Sequence, residues 1–163
     1  MAFETFMKVA GVSGESKDES HAGWIELLAV GWGVKKTPRA TPGEAARMVA
    51  EDLAVTKSLD TSSGLLVKAL CENKLLADVT IEFCRSDGQS KMKFMEWKFT
   101  NCHVTNYRMD SKEASDVRET LPVEEFSFNY EKFKTTYVQQ KRSDGIGGGS
   151  VIAGWDLKTN SPA

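Results

Sequence analysis

The chain has little of what most enzyme sites are built from. Only two histidines occur in 163 residues, His21 and His103. A zinc or iron site needs three or more ligands held by a supporting shell, so histidine alone cannot build one here. Cysteine is also scarce. Cys71, Cys84 and Cys102 are odd in number and widely spaced, with no C-x-x-C pair, which excludes a disulfide framework or a zinc ribbon. They are expected to be reduced, partly buried thiols acting as small apolar side chains. No excess of one charge exists: 21 basic residues face 23 acidic ones, a net charge of -2. Nothing here neutralises a phosphate backbone, so nucleic acid is excluded as a main partner. The start, MAFETFMKVAG, lacks a basic segment followed by an apolar one, so no signal peptide is expected. No window approaches the ~20 apolar residues of a membrane span. The expectation is a soluble chain made in the cytoplasm, without membrane insertion. Gly-x-Ser-x-Gly is absent. The glycine run DGIGGG, 144–149, lacks the Lys-Ser/Thr ending of a phosphate loop and reads as a flexible connection.

What is present is mostly strand. In FETFMKV, Phe3, Thr5, Met7 and Val9 alternate with Glu4, Phe6 and Lys8, the period of a strand with one buried face. Residues 24–34 are apolar on both faces, so something covers each side, and the second cover could be a partner subunit. A strand over 47–57 is interrupted at Glu51–Asp52. One helix is expected, about 61–73, capped by Asp60 or a hydroxyl residue just after it, with Leu66, Ala69, Leu70 and Asn73 at helical spacing. Val79, Ile81 and Phe83 alternate again. Ser86-Asp87-Gly88-Gln89 reads as a hairpin turn, and a long strand follows from about Lys91 to Arg108. Residues 110–119 are a charged loop. A second long strand spans 121–140. Its apolar parity changes between Tyr130 and Phe133, which predicts a bulge. VIAGWDL is the closing strand. One helix among seven or so strands makes the chain mainly β, a barrel or a sandwich, in a single domain over 1–163.

The most polar cluster lies in GVSGESKDESH, where Glu15, Asp18, Glu19 and His21 fall within seven residues. One reading is a metal-dependent hydrolase site built on Glu15, Asp18 and His21. The other is a structural loop whose Asp and Ser side chains bond its own backbone while His21 bonds a neighbour. The glycines and serines favour a loop over a helix. Cys102 and His103 are adjacent on one strand and point to opposite faces, so they form no nucleophile–base pair. The four tryptophans, Trp24, Trp32, Trp97 and Trp155, are either core aromatics or a sugar platform. The latter would make the chain a small-ligand or sugar-binding β-barrel module.

GESKDESHAGWIELLAVGWG, 14–33, resembles the N-terminal signature of the hemolysin-coregulated protein (Hcp) family of the bacterial type VI secretion system. Gly14, Glu15, Ser16, Asp18 and His21 match its Gly-Glu-Ser-x-Asp-x-x-His pattern, and Trp32 and Gly33 match its end. Ala29-Val30-Gly31 replaces the commoner residues before that tryptophan. Thr56-Lys57 resembles the family's Thr-Lys pair, Phe126-x-Phe128 and Tyr137-Val-Gln-Gln its late strand, and Gly154, Trp155, Asp156 and Asn160 its close. The resemblance implies a mainly β fold, a compact β-barrel of two packed antiparallel sheets with one α-helix (about 61–73) on the side, and a non-enzymatic tube subunit that uses no cofactor or metal. It implies a homohexameric ring, stacked rings, a spike protein at the tube tip, a contractile sheath around the tube and effector proteins in the lumen. It implies export through the secretion system without a signal peptide. Because the chain stops at the barrel, no C-terminal toxin extension is expected.

Two charged segments suggest how rings stack. Residues 35–47 carry Lys35, Lys36, Arg39 and Arg47 against Glu44. Residues 110–125 carry Asp110, Glu113, Asp116, Glu119, Glu124 and Glu125 against Lys112 and Arg118. Opposite charge on exposed segments favours a heterologous contact, so Lys35, Lys36, Arg39, Glu113, Asp116 and Glu119 are candidate stacking residues.

Overall fold

The computed structural model describes residues 3–37, 41, 43, 48–86, 88, 90–111, 121–140 and 148–163. In chain order the elements are β1 (Phe3–Val9), β2 (Ile25–Leu27), β3 (Ala29–Gly31), β4 (Val34–Lys36), β5 (Met48–Ala50), β6 (Leu53–Ser58), α1 (Ser62–Cys71), β7 (Leu76–Ser86), β8 (Lys91–Asp110), β9 (Val123–Asn129), β10 (Lys132–Val138), β11 (Ser150–Asp156) and β12 (Ser161–Pro162). All strand pairs are antiparallel. The mainly β fold with one helix agrees with the sequence reading.

The first sheet runs β12-β11-β10-β8-β7-β1-β2. The second is β8-β9-β6-β3, because β8 serves both. Its first part, to Cys102, pairs with β7 and β10, and from His103 onward it pairs with β9. The switch falls at Asn101, whose φ of 53° is a left-handed bend inside a strand. The Asn101 amide donates to Glu131 Oε2 at 2.9 Å, and Glu131 N–H donates to Thr100 O at 3.0 Å. Glu131 is the corner where β9 ends and β10 begins. Two strands therefore bend side by side and are bonded at the bend, as happens where strands pass between packed sheets.

This corrects two expectations. The parity change after Tyr130 is a corner between strands of different sheets rather than a bulge. Bulges do occur, but between Phe83 and Cys84 and between Val104 and Asn106. The compact barrel also does not form as one continuous ladder. Along 24–34 the chain breaks at Leu28, so that β2 pairs with β1 while β3 pairs with β6. The sheets meet at these two corners instead of closing smoothly. The Glu51–Asp52 interruption separates β5 from β6 as expected. The charged loop 110–119, the 86–89 turn and the 144–149 glycine run lie wholly or largely outside the described residues.

Between the sheets Met7, Ile25, Leu53, Ile81, Phe99 and Phe128 are fully buried, each contributing about 1.5–3 kcal/mol on transfer from water. The helix packs Leu66 and Ala69 onto this core and leaves Leu65 exposed. Its start is fixed by a reciprocal pair: Ser62 N–H donates to Asp60 Oδ1 at 2.8 Å, and Asp60 N–H donates to Ser63 Oγ at 3.0 Å. Its end is a Schellman arrangement. Asn73 takes φ 50°, Lys74 N–H reaches Ala69 O at 2.9 Å, and Asn73 N–H reaches Leu70 O at 3.2 Å.

Beneath the helix start lies a charged pair with no exposure. Lys57 of β6 and Glu124 of β9 are cross-strand partners, both 0% exposed, with Nζ 2.8 Å from Oε2. Lys57 Nζ also donates to Ser58 O and Ser63 Oγ, each at 3.0 Å, and is ion-paired with Asp60 Oδ1 at 2.9 Å. Ser63 Oγ donates to Glu124 Oε2 at 2.6 Å, and Tyr107 OH donates to Oε1 at 3.0 Å. Removing one partner strands the other charge in the interior. Glu124→Ala is expected to cost about 3–5 kcal/mol in chemical denaturation, and the Lys57→Met/Glu124→Leu double variant much less. A double variant as damaged as the sum of the single ones would show that the charges are independent.

Candidate functional site

The polar loop 11–24 is a folded hairpin tip. Gly14 N–H bonds Gly23 O at 2.8 Å, Ser16 N–H bonds Trp24 O at 2.9 Å, and Gly23 N–H bonds Ser16 O at 2.9 Å. A Cβ at Gly14 would sit 2.3 Å from Trp24 O, so only glycine allows the two arms to meet. Ser16 Oγ and Asp18 Oδ1 accept the backbone N–H groups of Asp18 and Ser20.

His21 is buried and clamped on every side. Its ring stacks on Phe6 at 4.2 Å and meets the edge of Trp24 at 4.9 Å. Nδ1 lies 2.7 Å from Asp18 Oδ1, and Nε2 lies 2.8 Å from Glu82 Oε2 on β7. Ionised carboxylates only accept, so both contacts are hydrogen bonds only when both ring nitrogens carry protons. Each carboxylate also holds a lysine: Lys91 on Asp18, and Lys93 on Glu82 at 3.1 Å. The hydrogen bond from Lys91, with help from His21, lowers the Asp18 carboxyl to about 2 despite partial burial. Burial pushes Glu82 upward, but the bonds from His21 and Lys93 outweigh it and hold Glu82 below its ordinary value.

The proposed hydrolase trio is not assembled. Glu15 is exposed and lines a different surface, beside Leu28 and Leu59. The structure instead brings His21, Glu82 and Cys84 together, with ligand atoms within 4.8 Å of one another. Cys84 Sγ is 3.8 Å from His21 Nε2, and with Asp18 this resembles a Cys-His-Asp nucleophile set. Two facts oppose that chemistry. Glu82 already occupies Nε2, and burial, reinforced by the Glu82 charge, pushes the Cys84 thiol up to about 11. The thiolate that would attack or bind a metal is suppressed. The cluster is an ion-paired clamp joining the loop to β7. Cys102 is likewise raised to about 12, by burial and then Asp78. Cys71 is exposed.

The remaining signature residues also hold backbone in place. Trp32 Nε1 donates to Tyr130 OH at 2.5 Å, and Tyr130 OH donates to Glu51 O at 2.7 Å. Gly33 O accepts Glu51 N–H at 3.0 Å. A Cβ at Gly154 would lie 2.9 Å from Phe133 O. Trp155 Nε1 donates to Asn160 Oδ1 at 3.2 Å, and Asp156 Oδ1 accepts the N–H groups of Lys158 and Thr159. Trp32 and Trp97 pack on each other and on Phe99, Phe133 and Phe83. Trp32 and Trp97 are thus packed against the core.

The profile described as "Type VI secretion system effector, Hcp" matches residues 6–137. The chain belongs to that family. Protein hcp1 of Pseudomonas aeruginosa is 27% identical over 168 residues, covering 100% of each chain. The fold is similar to a solved "type six secretion system protein", with TM-score 0.86, 30% identity and coverage of 99% of this chain and 100% of the other. Hcp1 from Salmonella typhimurium, at 21% identity and TM-score 0.83 over 100% of both chains, shares the fold. Hcp proteins are structural and non-enzymatic components of the type VI secretion system, and this chain is a secreted member of that group. Of the candidate stacking residues, Lys35 and Lys36 lie on exposed β4, and Lys35 is 3.6 Å from Glu51. Arg39, Glu113, Asp116 and Glu119 lie outside the described residues. Glu124, counted in the acidic charge of 110–125, is buried against Lys57. Glu82, Lys91 and Lys93 were not read from sequence as partners of the loop. Their link to it depends on β1–β7 register.

Two outcomes test the clamp. A carboxyl lowered by folding adds stability that is complete above its ordinary value near 3.8 and disappears as pH falls through about 2. Acid titration is therefore expected to show a loss of stability in that window that Asp18→Asn flattens. Elemental analysis is expected to find no stoichiometric zinc. One zinc per chain, lost in Cys84→Ser, would show that His21, Glu82 and Cys84 are ligands.

Proposed function

We propose that this chain is the tube subunit of a type VI secretion system. Six copies form a ring, rings stack into the inner tube, and effector proteins ride in the lumen. A spike caps the tube, a contractile sheath surrounds it, and the chain leaves the cell through this machine. The observation that carries the reading, beside family membership, is an uncovered apolar face on the first sheet. Phe83, Met95, Tyr137 and Val151 are lateral neighbours on the core-facing side. Phe83 is covered, but Tyr137 and Val151 are 45% and 69% exposed. Here β10 and β11 reach past the second sheet. An exposed apolar band of this kind fits burial against another copy, because it is otherwise a liability.

Native mass spectrometry at micromolar concentration is expected to give a ring of six 18.0 kDa chains. Val151→Asp is expected to give folded chains that no longer form rings, since a charge there would be buried unpaired. A wild-type chain that stays monomeric would overturn the reading, and rings unaffected by Val151→Asp would move the interface elsewhere.

A further inference from the structure

No part of the tube role uses the His21 proton. The side chain is 4% exposed, and groups from four directions fix its ring. Phe6 of β1 stacks on one face, and Trp24, with Lys8 over its own ring, meets the edge. From the same loop Asp18 faces Nδ1. From β7 Glu82 faces Nε2, with the Cys84 thiol 3.8 Å from that nitrogen. From β8 come two lysines. Lys91 is shared between Asp18 and Glu4 of β1, and Lys93 between Glu82 and Glu96.

With both ring nitrogens protonated, His21 donates to both carboxylates. Once one proton leaves, one nitrogen turns a lone pair toward an ionised oxygen 2.7 or 2.8 Å away. The two contacts are not equivalent. Asp18 lies three residues from His21, and His21 N–H bonds Asp18 O at 3.1 Å, so the turn already holds them together. Glu82 lies 61 residues away on another element, and Lys93 still neutralises it when the ring departs. The neutral ring therefore keeps Nδ1–H on Asp18 and sets its Nε2 lone pair against Glu82. The contact that fails is the one joining the loop to β7.

We propose that loop 11–24 is a proton-held latch, closed on β7 while both His21 nitrogens are protonated and released from Glu82 when one proton is lost. The proton favours the closed loop, so closure is complete on the acid side and is lost as pH rises. Mild acid does not open it, because Asp18 and Glu82 are both held below their ordinary values and stay ionised. Release uncovers Phe6 and Cys84, both buried beside the ring in the closed form. The latch lies within one chain and does not require that rings exist.

The three cysteines test it without being replaced. Wild-type protein is pulse-labelled with N-ethylmaleimide over a pH series, and each cysteine peptide is quantified by mass spectrometry. Cys71 is exposed and corrects for the reagent's own pH dependence. Cys102 is fully buried in the core and reports global unfolding. The series stays well below 11, where the Cys84 thiol would itself ionise. The Cys84-to-Cys71 ratio is expected to rise with pH by up to about tenfold per unit, the limit for one proton released on opening. The rise should coincide with loss of the His21 ring proton followed by NMR. In Glu82→Gln the amide accepts from the protonated ring or, turned over, donates to the lone pair. That variant is expected to hold the ratio flat over the same range. A flat wild-type ratio, a rise that Glu82→Gln leaves unchanged, or Cys102 labelled in step with Cys84 would each overturn the latch.

Discussion

The fold depends on one buried charge pair. Lys57 and Glu124 are neighbours across β6 and β9, and neither touches water. Their desolvation is offset only because every remaining valence is used: Ser58 O, Ser63 Oγ and Asp60 Oδ1 on the lysine, Ser63 and Tyr107 hydroxyls on the glutamate. The geometry must be complete, since a half-satisfied buried pair is worse than an apolar one. Completing it draws in β8 through Tyr107 and the helix start through Asp60 and Ser63. One pair therefore fixes strand register in the second sheet and the seat of the only helix among the described residues.

The first sheet is organised by a different constraint, the two corners that join it to the second. At Asn101 and Glu131 adjacent strands turn together and are bonded across the turn. At Leu28 the chain hands over from β1 to β6. The second sheet then covers only part of the first, and the ends of β10 and β11 project past it. The same geometry that closes the core leaves Tyr137 and Val151 uncovered.

The loop at 11–24 shows how a cluster with the composition of a catalytic site serves structure. Lys91 pairs with Asp18 and Lys93 with Glu82, and both carboxylates contact the ring nitrogens of His21 between them. That arrangement removes the unpaired base and the ionised thiol that catalysis would require. Glu15, one residue beyond Gly14, escapes the clamp and faces outward.

Much of this was legible from sequence. The period-two pattern of Phe3–Val9 and of Val79, Ile81 and Phe83 determined strands, because alternation on a pleated backbone has no other reading. Asp60, Leu66, Ala69 and Asn73 determined the helix and both its ends, because caps and apolar spacing are local properties. The Gly-Glu-Ser-x-Asp-x-x-His signature and the Gly-Trp-Asp close pointed to the family. What the sequence could not determine was anything set by register between distant strands. Glu82 meets His21 because Phe6 pairs with Glu82 and the loop folds back over it. Glu124 counted as one more surface charge until β6 placed Lys57 opposite it. The parity change at Tyr130 reads the same for a bulge or a corner, and only the bond between Asn101 and Glu131 decides. Local periodicity comes from the backbone of one segment. Pairing and burial come from segments 30 to 100 residues apart meeting in space, and that only the tertiary structure decided.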